Sequence, residues 1–118
     1  MAKFETIEDI IAWQRSRVLV NNVYQVFKIS RDYSFRDQIQ RAAVSIMNNI
    51  AEGFERKGNK EFAKFLYIAK GSCGEVRSML YLALDLKYIS KNDFDNLYNQ
   101  AFEMSKMLSG LIKALRTF

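Results

Sequence analysis

Few residue types in this chain could do chemistry. There is one thiol, Cys73, and no histidine. A cysteine nucleophile needs a base beside it to supply its thiolate, and histidine is the usual base. The missing imidazole also removes the commonest metal ligand and general acid–base group. Cys73 falls on the apolar stripe of its segment, where a free cysteine behaves as a small hydrophobe. Among carboxylates, Glu52 and Glu55 stand close together, while Glu75, Asp85, Asp93 and Asp95 are scattered. A di-metal carboxylate bundle needs inward Glu-x-x-His pairs, which this composition forbids. Glu52 is instead expected to make a polar pair, with Arg41 or Asn48 on its own helix face or with a neighbour. Gly71-Ser72-Cys73-Gly74 lacks the lysine spacing of a phosphate loop and lies inside a helical pattern. The chain is therefore expected to have no catalytic residues, no metal site and no cofactor.

A basic cluster is the remaining candidate. Arg56, Lys57, Lys60 and Lys64 surround one turn, with Tyr67 about one helical turn beyond Lys64. Lysine and arginine neutralise phosphates, and a nearby aromatic can stack on a base. Arg41, with Arg15, Arg17 and Arg36, adds charge upstream. Arg41, Arg56, Lys57, Lys60 and Lys64 are the nucleic-acid-binding candidates. The competing account is a solvated turn whose field is damped by Glu55 and Glu61. Eighteen Lys and Arg against thirteen Asp and Glu give +5 overall. The excess is spread along the chain, with no basic tail or acidic block. Such an excess permits polyanion contact and also serves solubility.

The elements that must position these residues follow from composition and period. With 118 residues, 49% of them hydrophobic, the chain fits one domain spanning residues 1–118 with a real core. No proline and only five glycines point to long helices, since β-rich chains lean on both at turns. Four stretches keep a helical period for over twenty residues. The spacing predicts helices over about 6–30, 35–57, 60–87 and 91–116. Thr6 with Asp9, and Ser34 with Asp37, have capping-box spacing; Asn59 and Ser90 are further N-caps. Gly58 is expected to close the second helix in a left-handed conformation. Core stripes run through Leu19, Val23 and Phe27; Ile39, Ala43, Ile46 and Ile50; Leu66, Ala69, Cys73 and Val76; and Leu97, Ala101, Met104 and Leu108. Gly71 and Gly74 each cost a helix about 1 kcal/mol relative to alanine, which suggests a backbone passing close by. Connections this short force antiparallel neighbours. The expected fold is all-α, an antiparallel up-down-up-down four-helix bundle.

Apolar residues exceed what one bundle buries. Ile7, Ile11 and Val18 lie out of phase with the first core stripe, and Ile68, Met79 and Leu82 lie beside the third. Trp13 adds an aromatic off the core. A soluble monomer rarely exposes so much contiguous apolar surface. These seven residues are the candidate interface of a homo-oligomer, unless a wide core stripe absorbs them. The N-terminus lacks the apolar region of a signal peptide. The longest apolar run, residues 79–84, is far short of the roughly 18 residues a membrane span needs. A cytoplasmic location is expected.

Several stretches together resemble one family: Ile10-Ile11-Ala12-Trp13-Gln14, Gln38-Ile39-Gln40-Arg41-Ala42-Ala43-Val44-Ser45-Ile46, Asn49-Ile50-Ala51-Glu52-Gly53-Phe54, Lys60-Glu61-Phe62, Phe65 to Ser72 with Glu75, and Ser105 to Ile112. They are similar to the bacterial four-helix-bundle proteins named after intervening sequences in 23S ribosomal RNA genes. The resemblance implies a cytoplasmic bundle that assembles as a homopentamer. A related branch, the accessory variability proteins of diversity-generating retroelements, binds nucleic acid through a basic surface. The family name records gene location rather than an activity. Met47 stands where the family usually has proline, so the second helix is expected to run without a kink. Cys73 and Gly74 replace a larger apolar residue and an alanine, which loosens the third helix locally. The resulting expectation is a non-enzymatic oligomeric bundle that contacts structured RNA or an RNA-handling protein through a modest basic surface. The alternative is a protein-interaction scaffold with no nucleic-acid role.

Overall fold

The computed structural model describes residues 4–116. The reading of the N-terminus over residues 1–3 lies outside that range. A short 3-10 turn, Ile7–Asp9, precedes four α-helices: α1 (Ile11–Phe27), α2 (Tyr33–Glu55), α3 (Asn59–Asp85) and α4 (Lys91–Arg116). The helices run up, down, up, down in a bundle of 45 × 19 × 19 Å. Consecutive helices pack side by side, α1 also packs on α4, and α1 and α3 stand on opposite corners.

The first helix departs from its expected start. Thr6 and Asp9 do form the capping pair, with the Asp9 carboxylate accepting the Glu5 and Thr6 amides at 3.0 and 3.1 Å. These bonds lower the Asp9 pKa. They cap the 3-10 turn, however, and Ile10 is then extended, which drives its side chain fully into the core. α1 begins only after that. It ends at Phe27, its last buried residue, and Ile29 projects into solvent at 82% exposure.

The second helix is unbroken from Tyr33 to Glu55, as expected without a proline. Its cap is Asp32 rather than Ser34: Asp32 Oδ1 accepts the Phe35 amide at 3.1 Å. Tyr88, from the connection after α3, donates its hydroxyl to Asp32 Oδ2 at 2.8 Å. One carboxylate thus caps α2 and ties two turns at the same end of the bundle. Those bonds hold Asp32 below the ordinary carboxylate pKa, and the same contact raises Tyr88.

Both ends of α3 differ slightly from expectation. Lys57, not Gly58, takes the left-handed conformation after α2, with φ 53°. Gly58 has φ 119° and serves as the residue before α3, so Asn59 is the first helical residue rather than the cap. α3 closes in a Schellman motif: Tyr88 N–H donates to the Ala83 carbonyl at 2.8 Å and Lys87 N–H to Leu84 at 3.1 Å. Lys87 occupies its left-handed position with φ 63°. Ser90 caps α4 as expected, accepting the Asp93 amide at 3.1 Å.

The core stripes pack as one layer between the helices, with Leu19, Val23, Ile39, Ile46, Leu66, Cys73, Leu80, Leu97 and Leu108 sealed from solvent. Burial pushes the Cys73 thiol up to about 11, despite a hydrogen bond to Ser105. The close backbone approach is at Gly53, not at Gly71 or Gly74. A Cβ at Gly53 would lie 2.7 Å from Phe65 Cβ, whereas one on Gly71 or Gly74 meets nothing within 4 Å. Nearby, Ser72 Oγ donates to Ser45 Oγ at 2.9 Å and Asn49 Nδ2 to the same oxygen at 3.0 Å, a polar joint between α2 and α3.

Candidate nucleic-acid interface

The α2–α3 turn gathers four of the five candidate cations at one end of the bundle. All four are exposed. The left-handed Lys57 and the following Gly58 reverse the chain in so few residues that both helix ends present their cations together. Arg56 Nη2 meets Glu52 Oε2 at 2.9 Å, and its guanidinium lies 5.0 Å from the Phe65 ring centroid. Glu52 therefore pairs with Arg56 rather than with Arg41 or Asn48. An acid four residues before a cation is the favoured helical orientation. Lys64 approaches Glu61 at 4.0 Å. Lys57 and Lys60 make no ion pair among the described residues. Glu5 and Glu55 line the same open cleft as Lys57, about 420 Å³ between the turn and the N-terminal segment, and moderate its field.

Arg41 does not join this group. Fifteen residues of helix separate it from Arg56, about 22 Å at 1.5 Å per residue. It lines a polar groove with Gln38, Ser45 and Glu75 instead.

The interface candidates divide in the same way. Ile11, Val18, Ile68 and Leu82 are about half exposed, at 54%, 53%, 48% and 46%. Ile7 and Trp13 are half-buried, with Trp13 packed against the core. Met79 is a correction, because it is buried at 8% exposure. It lies seven residues after Ser72, on the side of α3 turned toward α2, and so belongs to the core. The exposed residues form two separate patches, one on α1 and one on α3.

A second set of rings and cations lies along the α3–α4 edge, where no site was expected. Tyr81, Phe94, Tyr98 and Phe102 form a ladder. Tyr81 lies 5.1 Å from Phe94 and 5.5 Å from Tyr98. Phe94–Tyr98 and Tyr98–Phe102 are stacked at 5.5 and 6.4 Å. The Arg77 guanidinium spans Tyr98 and Phe102 at 5.6 and 5.4 Å from their centroids. Its hydrogen bond to the Tyr98 hydroxyl lowers that phenol's pKa, while Tyr81, hydrogen-bonded to Tyr98, is raised. The Arg77 Nε is enclosed and has no hydrogen-bond partner. Phe94, Tyr98, Phe102 and Lys106 recur every fourth residue, which would have marked this edge from sequence.

No group of three or more Cys, Asp or Glu side chains among the described residues could hold a metal ion. No described helix is long and apolar enough to cross a membrane.

Comparison with known proteins gives this geometry a family. No curated protein matches the chain. A solved structure from Bacteroides thetaiotaomicron VPI-5482, a protein of unknown function from the S23 ribosomal protein family, superposes with a TM-score of 0.81. It is 23% identical, and the match covers 87% of this chain and 96% of that one. At that identity the likeness speaks for the fold. The model of the 23S rRNA-intervening sequence protein family matches residues 8–110. That match takes in α1 to α3, the three turns between the helices and most of α4, and the chain belongs to the 23S rRNA-intervening sequence protein family.

Proposed function

We propose that this protein is a non-enzymatic, oligomeric helical bundle of the cytoplasm that contacts structured RNA through the basic α2–α3 turn. The observation that carries the reading is the pair Lys57 and Lys60. Both are exposed, both lack an acidic partner among the described residues, and Arg56 and Lys64 flank them. Phosphate contact releases counterions and needs no other chemistry from the protein. Arg41 is too distant to share one short contact with the turn, and it serves as a separate phosphate contact.

Oligomerisation rests on the two apolar patches. Ile11 and Val18 on α1 and Ile68 and Leu82 on α3 belong to opposite corners of the bundle. Two different patches suit head-to-tail contacts, which close into rings when the rotation permits. The expected ring is the pentamer that the family resemblance implies, and a ring repeats one modest basic turn several times. The same patches also support the scaffold reading, in which a partner protein occupies them.

Affinity for a structured RNA, measured across a salt series with mass by light scattering, tests both parts. A steep fall of log affinity with log salt is expected. Lys57→Glu, Lys60→Glu and Lys64→Glu together should abolish binding; unchanged affinity would remove the turn from the site. A monomeric mass would remove the ring. Capture of one stoichiometric protein after nuclease treatment, with no RNA affinity, would favour the scaffold.

A further inference from the structure

We infer that the α3–α4 edge is a track for single-stranded nucleic acid, in which unpaired bases stack on Tyr81 and Phe102 while flanking cations hold the phosphates. The inference rests on the proposed RNA reading and adds a second surface to it, specific for unpaired nucleotides.

The rings come first. Tyr81 and Phe102 are 52% and 40% exposed, although both belong to the ladder that packs α3 against α4. Their inner edges are anchored on Tyr98, so their orientation is fixed before any ligand arrives. Preset aromatic surfaces at the margin of a basic groove are how sequence-tolerant single-strand binders hold bases.

The charge follows the rings. Arg77 and Lys106 lie against the ladder, at 5.4 and 4.9 Å from the Phe102 centroid. Lys70 lies seven residues before Arg77 and Lys113 seven after Lys106, so helical periodicity puts them on the same edge. Both are exposed. Of the acids near this edge, Asp95 and Glu103 are held by Lys91 at 2.5 Å and Lys106 at 3.9 Å, and Asp85 lies one turn beyond Tyr81 at the end of α3. Lys70, Arg77 and Lys113 have no ion pair among the described residues. Arg77 is the most telling of them, because its guanidinium lies over both the Tyr98 and Phe102 rings, at 5.6 and 5.4 Å. An arginine stacked on rings and without an acidic partner attracts an anion that arrives with a planar group.

Space is available as well. Gly71 and Gly74 lie between Lys70 and Arg77, and nothing stands within 4 Å of where their Cβ atoms would be. Beside the two cations the surface is low at Gly74, which lets a sugar–phosphate backbone approach. α3 is 27 residues long, about 40 Å, so a strand can run from Lys60 and Lys64 at the turn to Tyr81. Three cations along this edge have no ion pair, and the exposed rings of Tyr81 and Phe102 stand among them. That balance selects a polyanion bearing flat bases.

The test compares a labelled oligouridine long enough to span α3 with a blunt RNA hairpin, using the full-length protein. Oligouridine should bind, and Phe102→Leu, which keeps apolar volume and removes the ring, should weaken it about 5- to 100-fold. Tyr81→Leu should act likewise, and both should leave the hairpin within about twofold. Lys70→Glu with Lys113→Glu should reduce the salt slope for oligouridine by about two. Circular dichroism of each variant establishes that the bundle is intact. If the hairpin binds but oligouridine does not, or if Phe102→Leu changes neither, the track is wrong and the proposed RNA contact stands. If neither RNA binds at low salt, the RNA reading itself fails and takes the track with it. Competition by polyglutamate as effective as oligouridine, and indifferent to Phe102→Leu, would reassign the edge to an acidic protein.

Discussion

Replacing Gly53 with alanine should lower the unfolding temperature, although alanine is the better helix former. Taken alone, the substitution should stabilise α2 by about 0.8–1 kcal/mol. The structure opposes this with a contact. The new Cβ would lie 2.7 Å from Phe65 Cβ, 3.1 Å from Phe62 Cδ1 and 3.3 Å from the Phe62 carbonyl oxygen. Carbon atoms rest at about 3.5 Å or more, so roughly 0.8 Å of separation is missing. Phe65 Cβ is fixed to the α3 backbone and cannot swing aside as a side-chain tip would. The helices must therefore part where Phe54 and Phe62 meet edge to face at 6.1 Å. Overpacking of this kind costs about 1–3 kcal/mol. Near the upper end of that range, the net loss is about 2 kcal/mol. A chain of 118 residues loses about 4 °C per kcal/mol, so the midpoint should fall by about 8 °C. Thermal denaturation followed at 222 nm measures it. Gly71→Ala and Gly74→Ala are the controls, because an added Cβ meets nothing there and only the propensity gain remains. Each should raise the midpoint by about 4 °C. A Gly53→Ala protein as stable as the parent would refute the close approach. A loss at Gly71 would mean that this face is covered in solution.

Further outcomes follow from the turns and the thiol. Lys87→Gly should stabilise by about 1 kcal/mol, because a left-handed residue with a side chain is strained and the Schellman position favours glycine; urea unfolding reads the change. Asp32 has a depressed pKa, so its contribution to stability is complete above the ordinary value of 3.8 and is lost as pH falls through the lower native value. Asp32→Asn should flatten that acid limb in unfolding curves taken from pH 5 downward, whereas an unchanged limb would deny Asp32 the role. With its pKa near 11 and its side chain buried, Cys73 should resist a disulfide reagent at pH 8 in the folded protein and react once urea unfolds it. Rapid reaction of the native protein would contradict the packing of α3. Met79→Ala should cost about 2–5 kcal/mol, whereas an interface role without burial predicts little loss in the dilute monomer.

Local sequence determined the helices because their causes are local. Apolar residues at steps of three and four fix which face of α2 or α4 is buried, and Ser90 caps α4 through its own hydroxyl. The same logic placed Cys73 in the core. It failed where two signals competed, by two residues at the start of α2 and by five at the start of α1. Asp32 and Ser34 can both cap α2, and the Tyr88 hydroxyl, fifty-six positions away, rewards Asp32. Of Ile10 and Ile11 the core takes Ile10, and the chain is extended there, so α1 starts only at Ile11.

The site was less legible because it is made between helices. The cluster of Arg56, Lys57, Lys60 and Lys64 is local and could be read from sequence, but the cations along the α3–α4 edge come together only by packing. Arg41 and Arg56 read as one group on paper, yet an intact helix keeps them apart. Arg77, Tyr81 and Phe102 lie on two elements, and their contact exists only because α4 returns antiparallel to α3. Glycines give the same lesson. A sequence shows that Gly53, Gly71 and Gly74 weaken their helices equally, since backbone entropy is local. Which of them admits a neighbour depends on the facing helix, and that was decided by tertiary packing alone.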